Sequence, residues 1–177
     1  LINNTTTLID ECGTVTFTPG TFDGRAKLQT TDENDRFYIW TNAQELDEGP
    51  IANLIDGYIQ TYFHSDYSGT NSTDELDHHL TVNLGTGVTA SSFQFSYTTR
   101  HNADTNYPTT IKVYGSTDGT NYEEVATITG LPTGNTKTYN SETITAEDKA
   151  FTHLRFMVTA NNNTDSNKGI KGGHPIF

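Results

Sequence analysis

A chain of 177 residues is the size of one domain, with room for an appended segment. Its net charge of −12, with only ten Lys and Arg, argues against nucleic acid as a partner, because phosphate binding draws on clustered basic side chains. Only 32% of the residues are hydrophobic and no apolar run approaches the thickness of a bilayer, so membrane insertion is not expected, while nine Tyr and nine Phe point to a β-rich, aromatic-cored fold.

Taken in order, residues 1–12 space Leu1, Ile2, Leu8, Ile9 and Cys12 as the end of an amphipathic helix would, a weak one because of Thr5, Thr6 and Thr7. Cys12 is the sole cysteine, which excludes an internal disulfide and a cysteine metal cluster. Gly13 to Asp35 is polar, with Pro19-Gly20 and Asp23-Gly24 as turn signals, and TDENDR (Thr31 to Arg36) lacks the ligand alternation of an EF-hand. Residues 1–35 therefore read as a linker or an ordered N-terminal extension, and 36–177 as the domain. FYIWT from Phe37 is the first convincing strand. HLTVNL, FQFSYT, TIKVYGS, VATIT, TYNSETIT and HLRFMVT follow, with a period of two and turns between them. Asp118-Gly119 marks a hairpin. The sum is all-β, an antiparallel β-sandwich of jelly-roll type. Phe93, Phe95, Leu80, Val82, Val113, Phe156 and Val158 lie on apolar faces and are predicted to be core.

The stretch Asn53 to Tyr67, NLIDGYIQTYFHSDY, combines two features. Asp56-Gly57 is a tight-turn dipeptide, and a loop curling from Asp56 back to Thr61 can aim a carboxylate, a hydroxyl and carbonyls at one centre, the all-oxygen shell that calcium takes. His64 and Tyr67, at the end of the stretch, form a candidate ligand platform. Asp66, Asp74, Glu75 and Asp77 read as a solvated acidic loop. Two long polar loops, Arg100 to Pro108 and Asn161 to Pro175, are further places for a binding site.

ANLIDGYIQTYFHSDY, HHLTVNLG, SFQFSYTTR, PTTIKVYGSTDG and HLRFMVTA, in that order, resemble the F5/8 type C (discoidin-like) domains, close to the family 32 carbohydrate-binding modules. The resemblance covers about Phe37 to the C-terminus and implies an eight-stranded, galactose-binding-domain-like jelly roll with a structural calcium and a non-catalytic sugar site on the loops. Carried over residue by residue, it implies calcium held by the carbonyl of Asn53, the carboxylate of Asp56, the carbonyl of Tyr58, and Thr61 through carbonyl and hydroxyl. The family completes that shell with an Ala-Glu pair in its last strand, and no such pair follows HLRFMVTA before Phe177. It implies a sugar site of His64, Tyr67, Arg100 and either Asn102 or Asn106, with His174 from the third loop; a Trp is more usual where Tyr67 stands.

The chemistry of these residue types agrees. A sugar presents paired hydroxyls and a patch of C–H bonds, which suit an arginine fork, a neutral imidazole, an amide and an aromatic face. Catalytic motifs are missing: His78-His79 is no H-E-x-x-H, GSTDG at Gly115 is no nucleophile elbow, and 22 acids make chance carboxylate pairs uninformative. The expectation is a monomeric, non-enzymatic, calcium-stabilised carbohydrate-binding module of a larger bacterial glycan-degrading protein. It is expected to be secreted, periplasmic or on the cell surface, and to bind a galactose-type or N-acetylhexosamine-type glycan. The alternative is a protein-interaction or adhesion module on the same fold.

Overall fold

The computed structural model describes residues 7–10, 13–16, 18–19, 25–29, 36–54, 56, 58, 60–66, 78–102 and 105–162, with side chains from Ile39 onward. Thirteen strands are described: β1 (Thr7–Asp10), β2 (Gly13–Thr16), β3 (Thr18–Pro19), β4 (Arg25–Gln29), β5 (Arg36–Thr41), β6 (His79–Asn83), β7 (Ser92–Phe93), β8 (Ser96–Thr98), β9 (Pro108–Ser116), β10 (Glu123–Thr129), β11 (Thr138–Asn140), β12 (Ile144–Thr145) and β13 (His153–Asn161). The helical element among the described residues is a single 3-10 turn, Ile51–Leu54.

The main sheet has seven strands in the order β10-β9-β13-β6-β5-β4-β3, and every pairing is antiparallel. The last described strand, β13, lies between β9 and β6 in the middle of the sheet. Two short ladders, β11-β8 and β12-β7, form the opposing layer. They send Phe93 and Ile144 into the cluster that also holds Ile111, Val113, Leu154 and Val158 of the main sheet. Phe95 crosses between the layers, its ring centroid 4.8 Å from Phe156 and 5.8 Å from Tyr139.

The period of two places the core faces as the sequence predicts. Phe93, Val113 and Val158 are buried, and Phe95, Leu80, Val82 and Phe156 are half-buried against the same core. Two predicted strands are each broken in two. FQFSYT splits into β7 and β8, and TYNSETIT into β11 and β12, because the step from Ser96 back to Phe93 spans one residue fewer than that from Asn140 to Ile144. Ser141 fills the mismatch: its hydroxyl accepts from the Phe95 N–H at 2.9 Å.

The helical reading of the N-terminus is corrected over Thr7–Asp10, which is β1, paired with β2 through Leu8 opposite Val15. β-branched residues (Thr7, Ile9, Thr14, Val15, Thr16) prefer the extended chain. β4 continues the main sheet beside β5, with Lys27 opposite Tyr38. The Asp118-Gly119 hairpin is present: Gly119 has φ 74°, and the Asp118 carboxylate accepts from the Thr120 and Asn121 N–H groups, both at 2.8 Å. The acidic-loop reading is corrected at Asp66, which is fully buried; Asp74, Glu75 and Asp77 lie outside the described residues.

Candidate functional site

The candidate site is assembled by backbone hydrogen bonds at one end of the sandwich. His64 accepts from the Glu45 N–H at 2.9 Å and donates its own N–H to the Gly49 carbonyl at 2.8 Å, which clamps the 45–49 turn against the segment Thr61 to Asp66. That clamp brings Glu48 to Tyr62, whose hydroxyl donates to Glu48 Oε1 at 2.9 Å. Arg100 arrives from the other layer, just beyond β8. Its position is fixed by its neighbour Thr99, whose hydroxyl donates to the Gly134 carbonyl at 2.6 Å and accepts from the Lys137 N–H at 2.8 Å.

Arg100 lies on Tyr62, with Cζ 3.6 Å from the ring centroid. Its Nε donates to Asn102 Oδ1 at 2.5 Å, and Nη1 approaches Glu48 Oε1 at 3.4 Å. The Arg100 side chain is 14% exposed and that of Glu48 34%. Burial and the bond to Glu48 raise the Tyr62 pKa, so its phenol remains a donor, with Arg100 opposing in part. The His101 ring packs tilted against Tyr62 at 6.3 Å.

The predicted sugar residues divide into four groups. Arg100 and Asn102 are joined directly. His64 is near enough to feel the charges of Glu48 and Arg100, but it is only 6% exposed, and Nδ1 donates to the Ser65 carbonyl at 2.7 Å. Burial lowers its pKa against that bond, so the imidazole is neutral at pH 7 with Nε2 as its acceptor nitrogen. Asn106 lies on the same loop as Arg100 in the left-handed region, φ 72°, a conformation that Asn tolerates. Tyr67 and His174 lie outside the described residues.

Glu48 and Tyr62 escaped the sequence reading. Nothing in the sequence separates Tyr62 from the other aromatics or, in QELDEGP, Glu48 from the other acids; only the 45–49 turn brings the two together.

The predicted calcium residues form a turn closed by its own hydrogen bonds. The Asp56 carboxylate accepts from the Tyr58 N–H at 2.8 Å, and the Thr61 hydroxyl donates to the Tyr58 carbonyl at 2.7 Å. Asn53, on the 3-10 turn, donates its side-chain amide to the Tyr62 carbonyl at 2.8 Å, so only its main-chain carbonyl could serve a cation as a donor. The donor set is oxygen throughout, which fits a hard cation. Among the described residues no three His, Cys, Asp or Glu side chains gather at a metal-binding distance, so Asp56 would supply the charge and neutral oxygens the remainder.

The family model of the F5/8 type C domain matches residues 38–170. The chain belongs to the F5/8 type C domain family. Similar solved structures include the Clostridium perfringens module CpGH89CBM32-5 in complex with GalNAc-β-1,3-galactose, 22% identical, covering 79% of this chain and 89% of that one, with a TM-score of 0.56. The family 32 module of Clostridium perfringens NanJ, in complex with galactose, is 20% identical over 79% of this chain and 88% of that one, TM-score 0.54. The C-terminal domain of a Bacteroides fragilis chitobiase is 18% identical over 85% and 91%, TM-score 0.55. No curated protein matches. At these identities the structures show the fold: this F5/8 type C domain is a discoidin-like β-sandwich of the kind found in family 32 carbohydrate-binding modules.

Proposed function

We propose that this F5/8 type C domain is a non-catalytic carbohydrate-binding module that takes a galactose-type or N-acetylhexosamine-type sugar at the Arg100 end of the sandwich. The observation that carries the reading is the stacking of Arg100 on Tyr62 with its Nε and Nη1 already engaged. A guanidinium held in this way loses little freedom on binding, and its remaining N–H groups can donate to neighbouring sugar hydroxyls. The Asn102 amide adds donors and the Glu48 carboxylate an acceptor, while neutral His64 lies close by. Asn106 belongs to the same loop, and Tyr67 and His174 complete the proposed set by family resemblance. The Asp56–Thr61 turn, with the carbonyls of Asn53 and Tyr58, is proposed to hold structural calcium. The parent is proposed to be a secreted or surface bacterial glycan-degrading protein, since the matched modules of Clostridium perfringens include one in complex with galactose and another from a family 31 glycoside hydrolase.

Calorimetric titration with galactose, N-acetylgalactosamine and their glucose counterparts tests the reading. Binding is expected in the range of about 10 µM to mM, as a shallow site allows, and Arg100→Ala should weaken it at least about tenfold by leaving sugar oxygens without their donor. Equal binding by wild type and variant would move the site elsewhere. A second reading, a protein-interaction module, is favoured by two large exposed side chains on the neighbouring turns, Leu46 at 55% and Tyr58 at 71%. It takes precedence if none of the sugars binds.

A further inference from the structure

The main sheet has a second polar and aromatic cluster on the face turned away from the core. In register, Trp40 of β5 and Arg155 of β13 both stand opposite Thr81 of β6, so the three form a row across neighbouring strands. Their sequence neighbours Ile39, Leu80, Val82, Leu154 and Phe156 belong to the core, which places the row on the outer face. Arg155 Nε donates to Thr81 Oγ1 at 3.0 Å, and Thr81 is fully buried beneath the row. The guanidinium carbon lies 3.6 Å from the Tyr122 ring centroid and 5.7 Å from that of Trp40. His79 sets its ring edgewise to Trp40 at 5.2 Å and meets Thr81 Oγ1 through Nδ1 at 3.2 Å.

We propose that this outer face is a second binding site, in which Arg155, set between Tyr122 and Trp40, takes the carboxylate of an acidic sugar residue, a uronate or a sialate. The chain has 22 acids against ten Lys and Arg, and Arg100, Lys112 and Lys149 each meet a carboxylate. Arg155 meets none among the described residues. Its Nε is committed to Thr81 and a ring lies against its face, so the plane of the fork is fixed and the Nη pair remains to grip a carboxylate end-on. The hydroxyl that accepts from Arg155 also meets His79 Nδ1, which ties the imidazole to the same row. Burial, then Arg155 and His78, hold the His79 pKa down at about 3, so the ring stays neutral and brings no second charge. The rings of Trp40 and Tyr122 suit the C–H surface of a pyranose. The choice of a sugar over a peptide carboxylate rests on the carbohydrate-binding reading above.

Trp40 is the only tryptophan, so its fluorescence reports on this face and not on the Arg100 loop. The intact domain is titrated with glucuronate, galacturonate and N-acetylneuraminate, with glucose, galactose, methyl glucuronate ester and acetate as controls, followed by Trp40 fluorescence and calorimetry. At least one acidic sugar is expected to shift the fluorescence with an affinity on the order of millimolar. The neutral sugars, the ester and acetate should not. Arg155→Lys keeps the charge and loses the fork, and should weaken binding at least about tenfold; Arg155→Gln should abolish it, and Arg100→Ala should leave it unchanged. Three outcomes overturn the proposal: no acidic sugar binding, equal binding by a melting-competent Arg155→Lys protein, or equal binding of acetate or an Asp-rich peptide. Acidic sugar binding without galactose or N-acetylgalactosamine binding would overturn the Arg100 site and leave this one standing.

Discussion

His79 stores an acid sensitivity that can be worked out in advance. Its pKa falls from 6.5 to about 3, because burial penalises the imidazolium and Arg155 and His78 repel it. The unfolded chain therefore binds a proton that the folded chain refuses between these two values. Stability attached to this group is fully present above pH 6.5, is lost as pH falls below it, and is exhausted once the folded ring protonates near pH 3. Each pH unit inside the window costs about 1.4 kcal/mol, so moving from pH 8 to pH 5 removes about 2 kcal/mol through this residue. The measurement is urea unfolding at both pH values for wild type and His79→Gln. Gln can still meet Thr81 but cannot titrate, so whatever it costs at pH 8 cancels in the comparison. Wild type should lose about 2 kcal/mol more than the variant between the two pH values. Identical losses would refute the argument, as would an NMR titration showing the His79 ring protonating near 6.5.

Three further outcomes follow from particular contacts. Gly115→Ala would set a Cβ 2.4 Å from the ring of Phe151, itself buried in the core, and should destabilise by about 1–3 kcal/mol in a denaturant melt. Millimolar calcium should raise the melting temperature and a chelator should reverse it, since an ion that binds only the folded state stabilises it by mass action; Asp56→Ala should abolish the difference, and a wild-type melt indifferent to chelator would count against the ion. Tyr62→Phe keeps the ring beneath Arg100 and loses the 2.9 Å bond to Glu48, so sugar affinity by calorimetry should fall less than in Tyr62→Ala.

The fold was legible because its main signal is local. Alternation along HLTVNL, TIKVYGS and HLRFMVT fixes which side chains enter the core whatever the partner strand, and β6, β9 and β13 form there with Leu80, Val113 and Val158 facing inward. The Asp118-Gly119 hairpin was equally legible, because one Gly at φ 74° and one carboxylate close it over a few residues. The break of TYNSETIT was not, since it depends on a mismatch of one residue against β7 and β8 that no single segment contains.

The candidate site divides along the same line. The sequence with its family resemblance placed Arg100 and either Asn102 or Asn106 on one loop, and Asp56 and Thr61 on one turn, because the contacts are local: Arg100 bonds Asn102, and Asp56 and Thr61 both bond Tyr58. Tertiary structure decided the remainder. Glu48 reaches Arg100 across 52 residues of chain through the 45–49 turn, and Arg155 reaches Thr81 across 74. His64, read as part of an open platform, is buried by the turn that its own backbone clamps. Spacing along a chain states which donors and acceptors a segment owns; which of them remain open to a ligand is set by the partners that other segments bring, and those are chosen only when the sandwich closes.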